Sequence, residues 1–137
     1  MIGVWSEYSS TFLVVFAAIV VVAFALPFLF APIAWGRLIG FKLPEQTDLA
    51  VYFGRSLGAA ALGISLICYM ASQNPGAQPL VFDGLILISA VLTITHIHGA
   101  VMKIQPLIET LEIPFWFGLM LLQIAVYPAG QGYGLLG

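Results

Sequence analysis

Apolar residues run through this chain in long blocks separated by proline, glycine and charge. Three of the blocks cover residues 11–34, 49–72 and 80–104. A fourth opens at Ile113 and stays strongly apolar only to about Tyr127. The blocks are continuous rather than alternating, which points to helices rather than strands. A bilayer core of roughly 30 Å needs about 20 helical residues at about 1.5 Å each, so the first three blocks are long enough to cross. The fourth has to be extended. Extended backward through Pro106 to Glu112 it would draw Glu109 and Glu112 toward the membrane; extended forward past Pro128 it covers 113–134, the span taken here. Pro27 and Pro32 in the first block each remove a helical hydrogen bond, so that helix is expected to kink or end early.

Composition decides the solvent. Of 137 residues, 61% are hydrophobic and 7% charged, where a soluble domain carries roughly a quarter charged residues. Too few polar groups exist to cover a water-facing surface, and in lipid the backbone is satisfied only by helices or a closed barrel. The expected fold is therefore an all-α, polytopic membrane protein, a single domain over 1–137 built as a four-transmembrane-helix bundle. No Lys or Arg precedes the first apolar block, so that block is expected to be retained rather than removed as a signal.

The four cations fix an orientation. Arg37, Lys42 and Arg55 lie in or beside the first connection and Lys103 borders the third, while the second connection and both ends carry none. By the positive-inside rule the first and third connections are cytoplasmic and both termini lie outside. Aromatic residues fall at the same boundaries: Trp5, Tyr8, Tyr69, Tyr127 and Tyr133 at the outer interface, Trp35, Tyr52 and Trp116 at the inner one. A multi-pass location in a bacterial inner membrane or its equivalent is expected. A net charge of −2 offers no face for nucleic acid.

Two helical stripes stand out inside the spans. Gly54, Gly58, Ala61, Ser65, Cys68 and Ser72 follow one another at alternating steps of four and three, which places six small residues on one face. Close backbone approach across small residues is how helices associate in lipid, so this face reads as a packing seam. Cys68 there reads as a small packing residue rather than a nucleophile. In the third block, Ser89, Thr93, His96, Ala100 and Lys103 form a second stripe, with Thr95, His98 and Met102 on another flank. His96 and His98 are two residues apart and so point roughly 200° away from each other. They cannot jointly chelate one metal from a regular helix.

Ionisable groups within a membrane are functional candidates by default. The ligand-binding candidates are Arg55, His96, His98, Glu109 and Glu112: counting along the helices brings His96 and Arg55 to similar depths in the inner leaflet, and the glutamates are acids available on that side. Together they would make a polar pocket able to hold a lipid headgroup, a quinone-like ring or a proton. The plainer alternative has Arg55 and the glutamates snorkelling to the interface and one histidine bonding between helices. Asp48 is a further acid on that side. Asp83 reads as a first-turn acid complementing its helix dipole. Gln123 reads as an interhelical hydrogen-bonding group. No Ser-His-Asp set, phosphate loop, zinc motif or Glu-x-x-His pair occurs, so no catalytic residue, metal or other cofactor is expected.

The four-span layout, the motif Gly54-Arg55-Ser56-Leu57-Gly58 opening the second span with small residues behind it, and the histidines late in the third resemble the small DoxX-like four-helix membrane proteins. That resemblance implies a four-helix bundle and association with other membrane enzymes, and it carries over no catalytic residue. The doubled histidine of Thr95-His96-Ile97-His98-Gly99 has no counterpart in the pattern. Two functions follow. The favoured one is a non-catalytic accessory or oligomerising subunit, partnered by the lipid bilayer and by other membrane subunits or further copies of itself. The alternative is a membrane-embedded binding protein or enzyme for a lipophilic ligand, using the Arg/His/Glu cluster.

Overall fold

The computed structural model describes residues 2–130 and 134–136. The described residues form helices and no strand: α1 (Ser9–Val20), α2 (Leu26–Phe30), α3 (Pro32–Leu38), α4 (Asp48–Ser72), α5 (Gln78–Met102) and α6 (Leu107–Ala125). Four helical stretches are long and apolar enough to cross a membrane: Ser6–Phe30, Asp48–Ser72, Pro75–Met102 and Leu107–Ala125. The chain divides into two compact units, one of Met1–Phe12 with Ala71–Gly137 and the other of Leu13–Met70.

The prolines of the first block act as expected, at two separate points. Five residues, Val21–Ala25, form a π-helical turn between α1 and α2. It ends two residues before Pro27, which has no N–H to continue the regular ladder. At Ala31 the backbone leaves the helical region, and Pro32 restarts it as the first residue of α3. The first stretch long and apolar enough to cross therefore ends at Phe30 rather than at residue 34.

Within the Leu13–Met70 unit, the glycines of the small-residue stripe lie against α2 and its flanks. A Cβ on Gly54 would stand 2.5 Å from the Pro32 Cβ, and one on Gly58 would stand 2.8 Å from the Leu29 nitrogen and 2.9 Å from the Ala25 oxygen. Ser65 turns its hydroxyl back to the Ala61 carbonyl at 2.8 Å, satisfying itself within α4. Ser65 and Cys68 are buried.

In the other unit α5 and α6 pack as an antiparallel hairpin. Lys103 closes α5 in the left-handed region, φ 56°, with its N–H on Ala100 and the Ile104 N–H reaching back to Gly99. The Gln105 side chain folds over Gly99, where a Cβ would collide with it, and donates to Thr110 Oγ1 at 3.1 Å. The fourth span begins at Leu107, behind the extended Pro106, and ends at Ala125, so it is the backward extension that forms and not 113–134. Pro114 sits inside this helix, where it costs one backbone bond without ending it. Residues 131–133, including the expected interfacial Tyr133, lie outside the described residues.

The far end of the hairpin is closed by both chain ends. Gly3 and Trp5 donate their N–H groups to Ile124 and Ala125, and Ser9 Oγ donates to the Val126 carbonyl at 2.7 Å. These carbonyls are among those a helix end leaves without an internal donor. Asp83 belongs to this closure and not to a first turn, because α5 already starts at Gln78. Its carboxylate accepts the Tyr127 hydroxyl at 3.0 Å and the Leu135 N–H at 2.7 Å. Burial, then the bond to Asp83, raise the Tyr127 phenol above its ordinary value of 10.0.

Because folding raises that value, the stability contributed by the protonated hydroxyl is complete below about pH 10 and lost as pH climbs through the raised value. In an absorbance titration, Tyr127 should be among the last tyrosines to ionise. Asp83→Asn should bring it down, since the neighbouring negative charge is gone. An unchanged Tyr127 titration in that variant would show that the pair is not formed.

Candidate functional site

His96 is the centre of the polar groups brought together on the α5–α6 hairpin. Its neighbours come from one face of α6, where Glu109, Glu112 and Trp116 stand at steps of three and four. His96 Nε2 lies 3.3 Å from Glu112 Oε2, and Nδ1 lies 3.8 Å from Glu109 Oε2. The same Glu112 oxygen accepts the Trp116 indole N–H at 2.9 Å. The imidazole is the most buried of the three ionisable side chains, 13% exposed against 23% for Glu109 and 31% for Glu112. Its Nδ1 is buried and makes no hydrogen bond.

This arrangement has a definite chemical character. One carboxylate faces each ring nitrogen. A neutral imidazole donates from one nitrogen and accepts at the other. With Nε2–H directed to Glu112, the Nδ1 lone pair faces a second acceptor at 3.8 Å, and only an added proton on the ring or on Glu109 makes that contact attractive. The trio therefore suits a proton or a group that donates hydrogen bonds. An anionic headgroup would meet two carboxylates. A metal is also poorly served, since the carboxylates flank opposite nitrogens, and no group of three or more His, Cys, Asp or Glu suited to a metal ion occurs among the described residues.

Of the five ligand candidates, the fold brings together His96, Glu109 and Glu112. His98 is exposed on the outer side of α5. Arg55 is exposed on α4 in the Leu13–Met70 unit and has no carboxylate within ion-pair distance among the described residues. Asp48 lies in the first turn of that same helix.

From sequence, Trp116 is expected at the inner interface; its partnership with Glu112 is signalled only by their spacing of four. A second polar contact lies deeper in the hairpin, where Ser89 Oγ donates to Gln123 Oε1 at 3.1 Å. This is the interhelical bond expected of Gln123, and both side chains are fully buried. Thr93, one turn on, bonds back to the Ser89 carbonyl.

The Leu13–Met70 unit has its own concavity, an open cleft of about 260 Å³ walled by Phe28, Ile33, Phe41, Phe53 and other apolar residues. It lacks the convergent polar groups that orient a specific ligand. Compared with known proteins, no family model matches the chain, and neither a curated protein nor a solved structure matches it.

Proposed function

We propose that the chain is a four-span membrane protein of a bacterial inner membrane or its equivalent, with both termini outside, acting as a non-catalytic subunit that assembles with other membrane helices. The observation that carries this reading is His98. It stands exposed on a crossing helix, five residues or about 7.5 Å of helix inward from Lys103. An imidazole at that depth has no hydrogen-bond partner in lipid. A neighbouring subunit supplies one.

Extraction of the membrane into lipid nanodiscs followed by native mass measurement tests the reading. The expected result is a stoichiometric complex, with further copies or with another membrane protein, that weakens in His98→Leu. A protein found only as a monomer would overturn it.

The His96 trio favours a second reading, a site for a lipophilic ligand that brings a proton or a hydroxyl donor, as a quinol does. Its support is the buried, unbonded Nδ1 facing a carboxylate. Protein purified with a bound lipid, quinol or similar molecule, lost in His96→Ala with assembly intact, is the expected sign. Purified protein that carries no such molecule counts against it.

A further inference from the structure

Charge is divided unevenly between the two units. Arg37, Lys42 and Arg55 fall in the Leu13–Met70 unit against Glu45 and Asp48, while the other unit holds Lys103 against Glu7, Asp83, Glu109 and Glu112. The unit with the apolar cleft is therefore net positive and the unit with the His96 trio net negative. The cleft stands where two apolar stretches end. Its walls include Phe28 near the close of the first, which ends at Phe30, and Ala50 near the start of the second, which begins at Asp48. Phe41 and Leu43 of the connection complete it, and the Phe41 N–H on the Gly36 carbonyl at 2.9 Å holds the connection against α3.

We propose that this cleft holds an acyl chain of one anionic phospholipid, whose phosphate is bound by Arg37 and Lys42. The proposal rests on the membrane placement given above and not on assembly with other subunits.

The walls and the rim ask for different chemistry. Every wall residue is apolar, so what enters is hydrocarbon. At about 260 Å³ the cleft falls below the roughly 300–1,000 Å³ that encloses a whole small molecule, and it suits a slender chain. The rim is cationic. Lys42 stands between the wall residues Phe41 and Leu43, and Arg37 follows the wall residue Gly36. Both are exposed, and neither has a carboxylate within ion-pair distance among the described residues, Glu45 and Asp48 included.

Charge selects the occupant. An apolar helix laid on these walls would leave two cations unanswered, and a zwitterionic lipid brings a cation of its own. An anionic phospholipid supplies hydrocarbon and negative charge in one molecule. Long basic side chains lay their stems along apolar surface and carry their charge to headgroup level, and basic pockets between crossing helices take anionic headgroups in this way. Arg55 does not share the site. Ala50, Phe53, Gly54 and Leu57 form the α4 wall, and Arg55 lies roughly 100° or more around the helix from each of them.

The test is native mass measurement of the full chain released from nanodiscs of equal phosphatidylglycerol and phosphatidylethanolamine with matched acyl chains. One phosphatidylglycerol per chain should be retained in preference. Arg37→Gln and Lys42→Gln should each cut that preference about fivefold, and Arg55→Gln should leave it unchanged. Ala50→Phe, which fills the cleft, should abolish retention with the helical signal intact; should that variant fail to fold, the three charge variants decide.

Equal retention of the two lipids, no retained lipid, or an equal loss in Arg55→Gln would overturn the site. So would a preference that survives a folded Ala50→Phe protein. The same spectra report protein stoichiometry, so loss of the lipid with subunits still associated overturns this site alone, and a chain that does not enter the bilayer overturns the placement beneath it.

Discussion

Gly58→Leu should prevent the Leu13–Met70 unit from folding, and Gly58→Ala should destabilise it by about 1–3 kcal/mol, the usual cost of overpacking a close contact. The reason is what the added atoms meet. The nearest neighbours of a Cβ there are a backbone nitrogen of Leu29 and a backbone oxygen of Ala25, at 2.8 and 2.9 Å. A side chain could rotate away; a helix backbone moves only as a unit. Ala25 also ends the π-helical turn, so the two helices meet where the first has already left regular geometry.

Gly63 supplies the control. It lies on the same helix with nothing within 4 Å of its Cβ position, so Gly63→Ala should be neutral or stabilise by about 0.5–1 kcal/mol through helix propensity. Unfolding in mixed detergent, followed by helical signal, measures both. Equal effects at Gly58 and Gly63 would mean that α4 does not pack on α2 through this glycine.

The second large effect is expected at Glu112. Its Oε2 accepts the Trp116 N–H at 2.9 Å and lies 3.3 Å from His96 Nε2. Glu112→Ala removes the Trp116 acceptor and the carboxylate beside the imidazole, a loss of about 2–3 kcal/mol in all. Glu109, at 3.8 Å from Nδ1, is beyond hydrogen-bonding distance, so Glu109→Ala should cost under about 1 kcal/mol.

A double-mutant cycle between His96→Ala and Glu112→Ala should return a coupling of about 0.5–3 kcal/mol. Additive single effects, or a larger loss at Glu109 than at Glu112, would place the imidazole elsewhere.

The four helices long and apolar enough to cross a membrane were legible because their signal is carried by whole blocks of apolar residues. The start of the fourth was not. Residues 106–112 hold a proline and two carboxylates, which resemble a loop until His96 and Trp116 are seen to occupy those carboxylates within a helix that starts at Leu107. Counting residues places a group along a helix but not around it. Counting put Arg55 and His96 at similar depths, but only packing decides which side of each helix turns inward. The spacing showed that His96 and His98 point apart without telling which one meets α6. Asp83 looked local for a similar reason. Its partners, Tyr127 and Leu135, lie 44 and 52 residues along the chain, beyond any helix-dipole argument.

The orientation of the four spans is tested most directly by placing single cysteines in the connections of a Cys68→Ala protein and labelling intact cells with a membrane-impermeant thiol reagent. Positions in 73–77 should label from outside. Positions in 39–47 and 103–106, where Lys42 and Lys103 lie, should label only after the membrane is opened. Labelling of all three connections from the same side, or of the lysine-bearing connections from outside, would contradict the four-span arrangement with both termini out.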